Sequence, residues 1–216
     1  MDLERDKYVA VPGYRLASRV LGWPIGSLPT TDSLQGADAD ADALVSQMLA
    51  HGMLVSDPHV GKPAIPVATA RASRGLEFDL DSRPETGGAL LWRFGCSCLR
   101  ARMSLKLRPI QSIVEAVRDR KVRLARVSCP QADPARLRAL VGAFIRLRPL
   151  FYTLWAACLL DSLTLLHFLA AEGIHPDWVF GVKTEPFDAH CWVQQDEVVL
   201  NDAPDRVRQY SPILIV

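Results

Sequence analysis

The chain has 216 residues, of which 49% are hydrophobic and 23% charged, and its formal net charge at pH 7 is +1. This length and composition allow one large domain or two small ones with a buried core, and they exclude a wholly disordered protein and a long multidomain assembly. Residues 1–80 carry 7 Lys and Arg against 10 Asp and Glu, residues 81–150 carry 15 against 5, and residues 151–216 carry 3 against 9. The whole-chain charge is therefore a poor guide to binding partners.

Cysteine usage indicates a cytoplasmic protein. The chain has five cysteines, at positions 96, 98, 129, 158 and 191. An odd number at irregular spacing fits reduced thiols better than a disulfide framework, and no second close pair completes a zinc site. Residues 1–7 alternate in charge and lack an apolar segment, so we expect no secretory signal. We also expect no bound metal or organic cofactor.

The first half of the chain is predicted to contain a small domain and a linker. Residues 3–11 indicate a strand or tight hairpin, residues 14–21 a short helix, and apolar residues at 41, 44, 45, 48 and 49 a helix that ends at Gly52. These elements predict a domain over residues 1–57. Residues 58–88 contain Pro58, Pro63, Pro66 and Pro84 and are predicted to be a linker. Helical periodicity follows at 89–117 and at 134–147, with Pro134 in a first turn after Asp133.

Residues 151–171 require a membrane test, because Asp161 is their single charge. A carboxylate at mid-span would cost roughly 2.5 to 3.5 kcal/mol on insertion scales. A helix that is apolar nearly all round is equally typical of the buried centre of a globular domain. We therefore predict a buried helix, ending at Gly173, and no membrane insertion.

The last 43 residues change character, with short β-type runs at 178–182, 189–194 and 198–201. A buried helix followed by antiparallel strands is an α+β arrangement. We predict a catalytic domain over residues 89–216, in which a central helix packs on a small antiparallel sheet.

Cys158, His190 and Asp202 lie within this helix-then-strands unit, in an order that fits a cysteine protease. Such an enzyme needs a thiolate nucleophile, an imidazole to hold and deliver the proton, and an acceptor to orient the imidazole. A helix that begins near residue 156 would place Cys158 in its first turn, where unpaired N–H groups favour a thiolate. Each residue also has an ordinary structural interpretation: a core cysteine, a half-buried histidine and a turn-forming aspartate.

The strand register sets a condition on the triad. Side chains alternate along a strand, so His190 and Trp192 share one face and Cys191 points to the other. A three-residue loop, 195–197, or a bulge would place His190 opposite Asp202, whereas a two-residue loop at 195–196 would place it opposite Asn201. The hypothesis predicts the odd-length loop or the bulge. Trp192 is then a candidate for a second oxyanion donor beside the backbone N–H of Cys158.

Several motifs resemble the B proteins of lasso-peptide biosynthesis, which are transglutaminase-like cysteine proteases also called microcin-processing proteins. The motifs are C-L-L-D-S-L-T-L-L-H-F-L-A-A-E-G-I from Cys158, F-G-V-K-T-E-P-F-D-A-H-C-W-V from Phe180, V-L-N-D from Val199 and Y-S-P-I from Tyr210. The resemblance covers about residues 90–216 and implies a papain-like fold with Cys158, His190 and Asp202 as the catalytic triad. Cys191 and Gln194 depart from the family, where a small residue and Glu are usual.

The resemblance also implies an activity and partners. The activity is removal of the leader from a ribosomally made precursor peptide, after which a cyclase of the asparagine-synthetase type closes a macrolactam. It implies a requirement for ATP, although the sequence contains no P-loop. Two alternatives stay open: a noncatalytic leader-binding scaffold for the cyclase, and an amine acyltransferase of the transglutaminase type.

The N-terminal residues resemble, more weakly, the winged-helix-like element that captures the leader as an added strand. The segments D-L-E-R-D-K-Y-V-A-V and A-L-V-S-Q-M-L-A-H-G-M-L-V carry this resemblance. A winged-helix DNA binder is the rival, but the acidic balance of residues 1–80 argues against nucleic acid. The basic residues between 93 and 126 could meet an acidic leader, ATP phosphates or the cyclase, or could form a solvated helix surface.

Overall fold

The structure is a computed structural model of the chain, and it describes residues 46, 48–50, 56, 72–76, 87–125, 133–152, 158–184 and 187–216. The chain divides into two compact units, and every helix and strand labelled below lies in the unit that contains residues 67–216. In the other unit, Ser46 and residues 48–50 are helical. Apart from these and Ser56, the predicted recognition domain 1–57 lies outside the described residues, and the domain boundaries stay a prediction.

The helices of the described residues come mostly before the sheet in the sequence. They are α1 (Gly88–Leu107), α2 (Ile110–Ala125), α3 (Pro134–Leu147), α4 (Cys158–Ala170) and the short α5 (Pro204–Val207). The start of α3 is as predicted, because Oδ1 of Asp133 accepts a hydrogen bond of 3.0 Å from the N–H of Ala135. A 3₁₀ turn at Arg148–Leu150 follows α3 directly.

The helical periodicity over 89–117 is interrupted at Pro109. Helix α1 ends at Leu107, and Arg108 has extended dihedral angles, φ −130° and ψ 141°. A residue before proline avoids the helical region, and proline has no N–H to continue the helix. The predicted helical segment therefore contains two helices, α1 and α2.

Five strands of the described residues form one sheet in the order β1-β4-β3-β2-β5. They are β1 (Arg74–Gly75), β2 (Asp177–Thr184), β3 (Phe187–Gln195), β4 (Val198–Val199) and β5 (Ser211–Ile215). Neighbouring strands pair antiparallel except β1 and β4, which are parallel. Strand β1 lies within the segment predicted as a linker, so part of that segment belongs to the sheet.

Helix α4 packs against both α1 and β3, and large apolar side chains fill the space around it. Phe94, Phe144, Phe168, Trp178 and Phe180 are fully buried in one core. The ring centroid of Phe144 lies 5.1 Å from that of Phe94 and 5.8 Å from that of Phe168. These distances are typical of favourable aromatic pairs. The predicted α+β arrangement of a central helix on a small sheet is confirmed.

The polar side chains of α4 find partners inside the domain. Ser162 Oγ donates to the carbonyl of Cys158 at 2.6 Å and accepts from Nε1 of Trp178 at 2.9 Å. Thr164 Oγ1 donates to the carbonyl of Leu160 at 2.6 Å. These bonds compensate for the burial of the hydroxyl groups. Within the described ranges, no helix has both the length and the apolar character needed to cross a membrane.

Candidate active site

His190 and Asp202 form a short hydrogen bond, with Nε2 of His190 lying 2.5 Å from Oδ2 of Asp202. Their side chains are only 6% and 15% exposed. Oδ1 of Asp202 accepts from the N–H of Ala203 at 2.7 Å, and Nη1 of Arg206 lies 3.7 Å from Oδ2. A carboxylate bound to one ring nitrogen fixes the orientation of an imidazole. It leaves Nδ1 of His190 for the reaction.

The turn between β3 and β4 contains two residues, Asp196 and Glu197. Gln195 pairs with Val198 across it, and Asp196 has φ 52°. A residue in the left-handed region is typical of tight two-residue hairpins. Of the two arrangements predicted from the sequence, an odd-length loop or a bulge, the odd-length loop is therefore wrong.

The chain leaves the ladder after Leu200, and this departure brings Asp202 to His190. The N–H of Leu200 still donates to the carbonyl of Val193 at 2.9 Å. The N–H of Val193 instead donates to Oδ1 of Asn201 at 2.8 Å, where a regular antiparallel pair would use the carbonyl of Leu200. The side chain of Asn201 thus replaces a backbone acceptor. Strand β4 is shorter than predicted, and its irregular exit does what an odd-length loop would have done.

Cys158 is the first described residue of α4, is half-buried, and lines the same cavity as His190 and Asp202. A hydrogen bond with Cys191, and the hydrogen bond and charge of His190, lower the pKa of Cys158 well below its usual range despite burial. Burial opposes a charge on His190, but the hydrogen bonds and charges of Asp202 and Cys158 outweigh it and raise the pKa to about 9.

The carboxylate completes this charge pattern. Burial opposes ionisation of Asp202, but the hydrogen bonds from His190 and from the N–H of Ala203, with the charge of His190, lower its pKa. At neutral pH these shifts favour a thiolate at Cys158, an imidazolium at His190 and a carboxylate at Asp202. A cysteine nucleophile needs this ionic form.

Cys191 contacts the nucleophile directly, which the sequence did not predict. It is buried in the core that contains α4, whereas the rings beside His190 pack in another cluster, as expected from strand alternation. Its Sγ is 3.3 Å from Oγ of Ser162. Burial, together with the hydrogen bond and negative charge of Cys158, raises the pKa of Cys191 well above its usual range. Cys191 therefore stays a neutral thiol that can donate to Cys158, and it is a poor competing nucleophile.

Two aromatic rings enclose the imidazole of His190. Its ring centroid lies 6.1 Å from that of Trp192 and 5.2 Å from that of Tyr210. Oη of Tyr210 donates to Oδ2 of Asp188 at 2.7 Å. Gly181 pairs with His190 across β2 and β3, and a Cβ there would lie 2.9 Å from both Trp192 and Tyr210. Glycine is therefore needed at this position for the two rings to reach the histidine.

Trp192 is not available as an oxyanion donor. Its Nε1 donates to Oε1 of the buried Gln194 at 2.9 Å, and Nε2 of Gln194 donates to the carbonyl of Asp196 at 2.6 Å. The expectation for Trp192 is contradicted. Gln194 instead links the indole to the β3–β4 turn.

A family model described as the transglutaminase-like superfamily matches residues 96–215 of the chain. The chain belongs to this superfamily. Over 56 residues it is also 39% identical to the Microcin J25-processing protein McjB of Escherichia coli, a match that covers 26% of this chain and 27% of that protein. The chain thus matches only about a quarter of that relative's length. No solved structure matches it.

The transglutaminase-like domain contains a buried polar network that the sequence did not predict. Asp161, only 3% exposed, accepts hydrogen bonds at Oδ1 from Oη of Tyr152 (2.9 Å) and at Oδ2 from Nδ2 of Asn201 (2.8 Å). Nη1 of Arg148 lies 3.6 Å from Oδ2 and donates to the carbonyl of Asn201 at 3.3 Å. A lone charge inside an apolar helix was the available signal, because a buried carboxylate requires partners.

A cavity of about 690 Å³ opens over the triad of this transglutaminase-like domain. Arg148, Arg206 and the apolar Ile145 line it. Gly75 of β1 and the adjacent Leu76 line it as well. Its volume is within the range of sites that take small ligands or a few peptide residues. The β1 segment therefore contributes to the site as well as to the sheet.

Proposed function

We propose that the chain is a cytoplasmic cysteine peptidase that removes the leader from a ribosomally made lasso-peptide precursor. The supporting observation is the activated Cys158 beside the His190–Asp202 pair in an open cavity of a transglutaminase-like domain. The likeness to the Microcin J25-processing protein supports a precursor peptide as the class of substrate.

In the proposed reaction, the thiolate of Cys158 attacks the carbonyl carbon of the scissile peptide bond. His190 then gives the Nδ1 proton to the leaving amine, which frees the core peptide and leaves the leader as a thioester on Cys158. His190 next takes a proton from water, the resulting hydroxide attacks the thioester, and the leader departs with a new carboxylate. Asp202 keeps the imidazole oriented and stabilises its charge throughout.

Three further elements of the proposal come from resemblance. Residues 1–57 would capture the leader, a cyclase of the asparagine-synthetase type would receive the freed core amine, and leader removal would require ATP. The bond-breaking steps above are complete with Cys158, His190, Asp202 and water. A role of ATP would therefore lie in delivery of the substrate or in the partner.

Acyl transfer to an amine is the second candidate, because the superfamily takes its name from transglutaminases. The thioester on Cys158 is common to both reactions, and only the second nucleophile differs. Hydrolysis leaves a free carboxylate on the leader, whereas transfer leaves an amide of a different mass.

The deciding experiment incubates the full chain with candidate lasso precursor peptides, with and without ATP and cyclase, and follows the products by mass spectrometry. Leader release with a free carboxylate that disappears in Cys158→Ala is the expected result. Unchanged release by Cys158→Ala would contradict the mechanism. Precursor binding that survives Cys158→Ala, without cleavage by the wild type, would instead favour the noncatalytic scaffold.

A further inference from the structure

Asn201 stands at the point where the chain leaves the sheet, one residue before Asp202, and all its side-chain polar groups are engaged. Oδ1 accepts from the N–H of Val193 at 2.8 Å, and Nδ2 donates to Asp161 at 2.8 Å. Its backbone carbonyl accepts from Arg148 at 3.3 Å. These three hydrogen bonds thus fix the path of the backbone that leads into Asp202.

Asp161 connects this exit to the helix that carries the nucleophile. It lies in the same helix as Cys158, three residues further on, so about one helical turn separates the two. Both of its oxygens accept hydrogen bonds, from Tyr152 and from Asn201, with the charge of Arg148 nearby. Burial raises the pKa of Asp161, but these hydrogen bonds and the charge of Arg148 act against that shift and favour the ionised carboxylate. One side chain therefore ties the Cys158 helix to the Asp202 segment.

A purely structural role accounts poorly for this pair. Removal of a carboxylate from water costs several kcal/mol unless partners compensate, and apolar residues of similar volume often fill such a site with equal or greater stability. An apolar pair, however, would leave the N–H of Val193 without its acceptor and would not hold the chain off the ladder beside Asp202. Buried polar pairs of this kind are best attested where they fix a register.

We propose that Asp161 and Asn201 are positioning residues that hold Asp202 against His190 and so keep Cys158 activated. The inference rests on the proposed function, because it assigns the two residues to the same catalytic triad. One of the two positions must carry a carboxylate and the other an amide, and the pair must span the distance from α4 to the exit of β4.

The test exchanges the two side chains. Asp161→Asn alone leaves two amides, and Asn201→Asp alone places two carboxylates against each other, which is strongly unfavourable. In Asp161→Asn/Asn201→Asp, α4 supplies the amide and position 201 supplies the carboxylate. One oxygen of that carboxylate can accept from the amide, and the other can still accept from the N–H of Val193. The net charge equals that of the wild type. Such a cycle isolates the interaction between the two positions.

The readout is the rate at which iodoacetamide alkylates Cys158 in the full chain at mildly acidic pH, resolved by peptide mass spectrometry. Only the activated thiolate reacts quickly there. We expect each single variant to react at least about tenfold more slowly, since the thiol is less ionised when the imidazolium loses its carboxylate. The exchange variant should recover to within about threefold of the wild type. Asp177→Asn, which removes a carboxylate paired with Lys121 away from the cavity, should react like the wild type.

Thermal melting of each variant accompanies the alkylation. If a single variant does not fold, Tyr152→Phe provides a milder test: it removes one donor to Asp161 and should slow alkylation about two- to fivefold. Folded single variants that react like the wild type would overturn the inference, and so would an exchange variant as slow as the singles. Alkylation needs no peptide substrate. A slow wild-type Cys158 would count against the proposed function, whereas a fast Cys158 with unaffected variants would count against the positioning role alone.

Discussion

The region around the proposed triad, called the triad region below, consists of the start of α4, strand β3 and the exit of β4, and it is built differently from helix α1. In the triad region, buried polar side chains pair with each other, as in His190–Asp202 and, between α4 and the exit of β4, Asp161–Asn201. Helix α1 has no acidic residue, and its Trp92 and Leu99 are 74% and 62% exposed. Contacts between buried polar side chains thus surround the proposed chemistry, whereas α1 supplies apolar packing and basic residues. Substitutions in the two regions should have different consequences.

The largest expected difference is between two cysteines. Cys158→Ala should lower kcat/KM for leader removal by at least about 10³-fold, because the nucleophile is lost. Cys96→Ala, at an exposed position of α1, should leave cleavage unchanged. Quantitative mass spectrometry of the released leader measures both variants. Equal activity of the two variants would show that the triad region is not the catalytic region.

Asp202 and Asp205, three residues apart in the sequence, provide a finer contrast. Asp202→Asn should lower kcat by about 10²-fold, the lower end of the range for acid–base groups, because the amide cannot stabilise the imidazolium of His190 with a charge. Asp205→Asn loses only an exposed ion pair with Arg208 of 2.9 Å and should change kcat less than about twofold. A similar loss of kcat in both variants would attribute the loss to the removal of a negative charge in general and not to the bond between Asp202 and His190.

Two glycines should respond with opposite signs in a melting experiment. Gly181→Ala forces a Cβ to within 2.9 Å of Trp192 and Tyr210 and should destabilise the domain by about 1–3 kcal/mol, as overpacking does. In Gly95→Ala the new Cβ would lie 3.7 Å from the ring of Phe151, an ordinary contact, and alanine favours a helix by about 1 kcal/mol. A stabilised Gly181→Ala variant would contradict the tight packing around His190.

Much of this arrangement could be predicted from local patterns. The alternation in β3 correctly separates His190 from Cys191, and Asp133 with Pro134 correctly starts α3. The chemistry of Cys158, His190 and Asp202 indicated a triad whose members the structure brings to one cavity. The first two predictions are confirmed, because each depends on a few neighbouring residues. The triad residues are far apart in the sequence, and their catalytic roles stay a prediction.

The remaining features depend on contacts between distant residues. The exit of the chain at Asn201 replaces a backbone acceptor with a side chain, which no strand periodicity encodes. Strand β1 has only two residues and lies in a segment rich in proline and glycine. The contact between Cys191 and Cys158 depends on how α4 packs on β3. The end of α1 before Pro109, in contrast, could have been predicted, because a residue before proline avoids the helical region.

The central claim is that the domain holds Cys158 as a thiolate beside the imidazolium of His190, and one measurement tests it directly. The full chain is alkylated with iodoacetamide from pH 4 to pH 10, and the rate at Cys158 is compared with that at the exposed Cys96 in the same digest. Because the pKa of Cys158 lies well below its usual range, Cys158 should react faster than Cys96 at pH 6. The ion pair is present above the lowered pKa of Cys158 and below the pKa of His190, which is raised to about 9. It is lost as Cys158 is protonated below this range and as His190 deprotonates above it. His190→Ala should remove the advantage at pH 6. Equal rates at Cys158 and Cys96 in the wild type, or an unchanged advantage in His190→Ala, would contradict the claim.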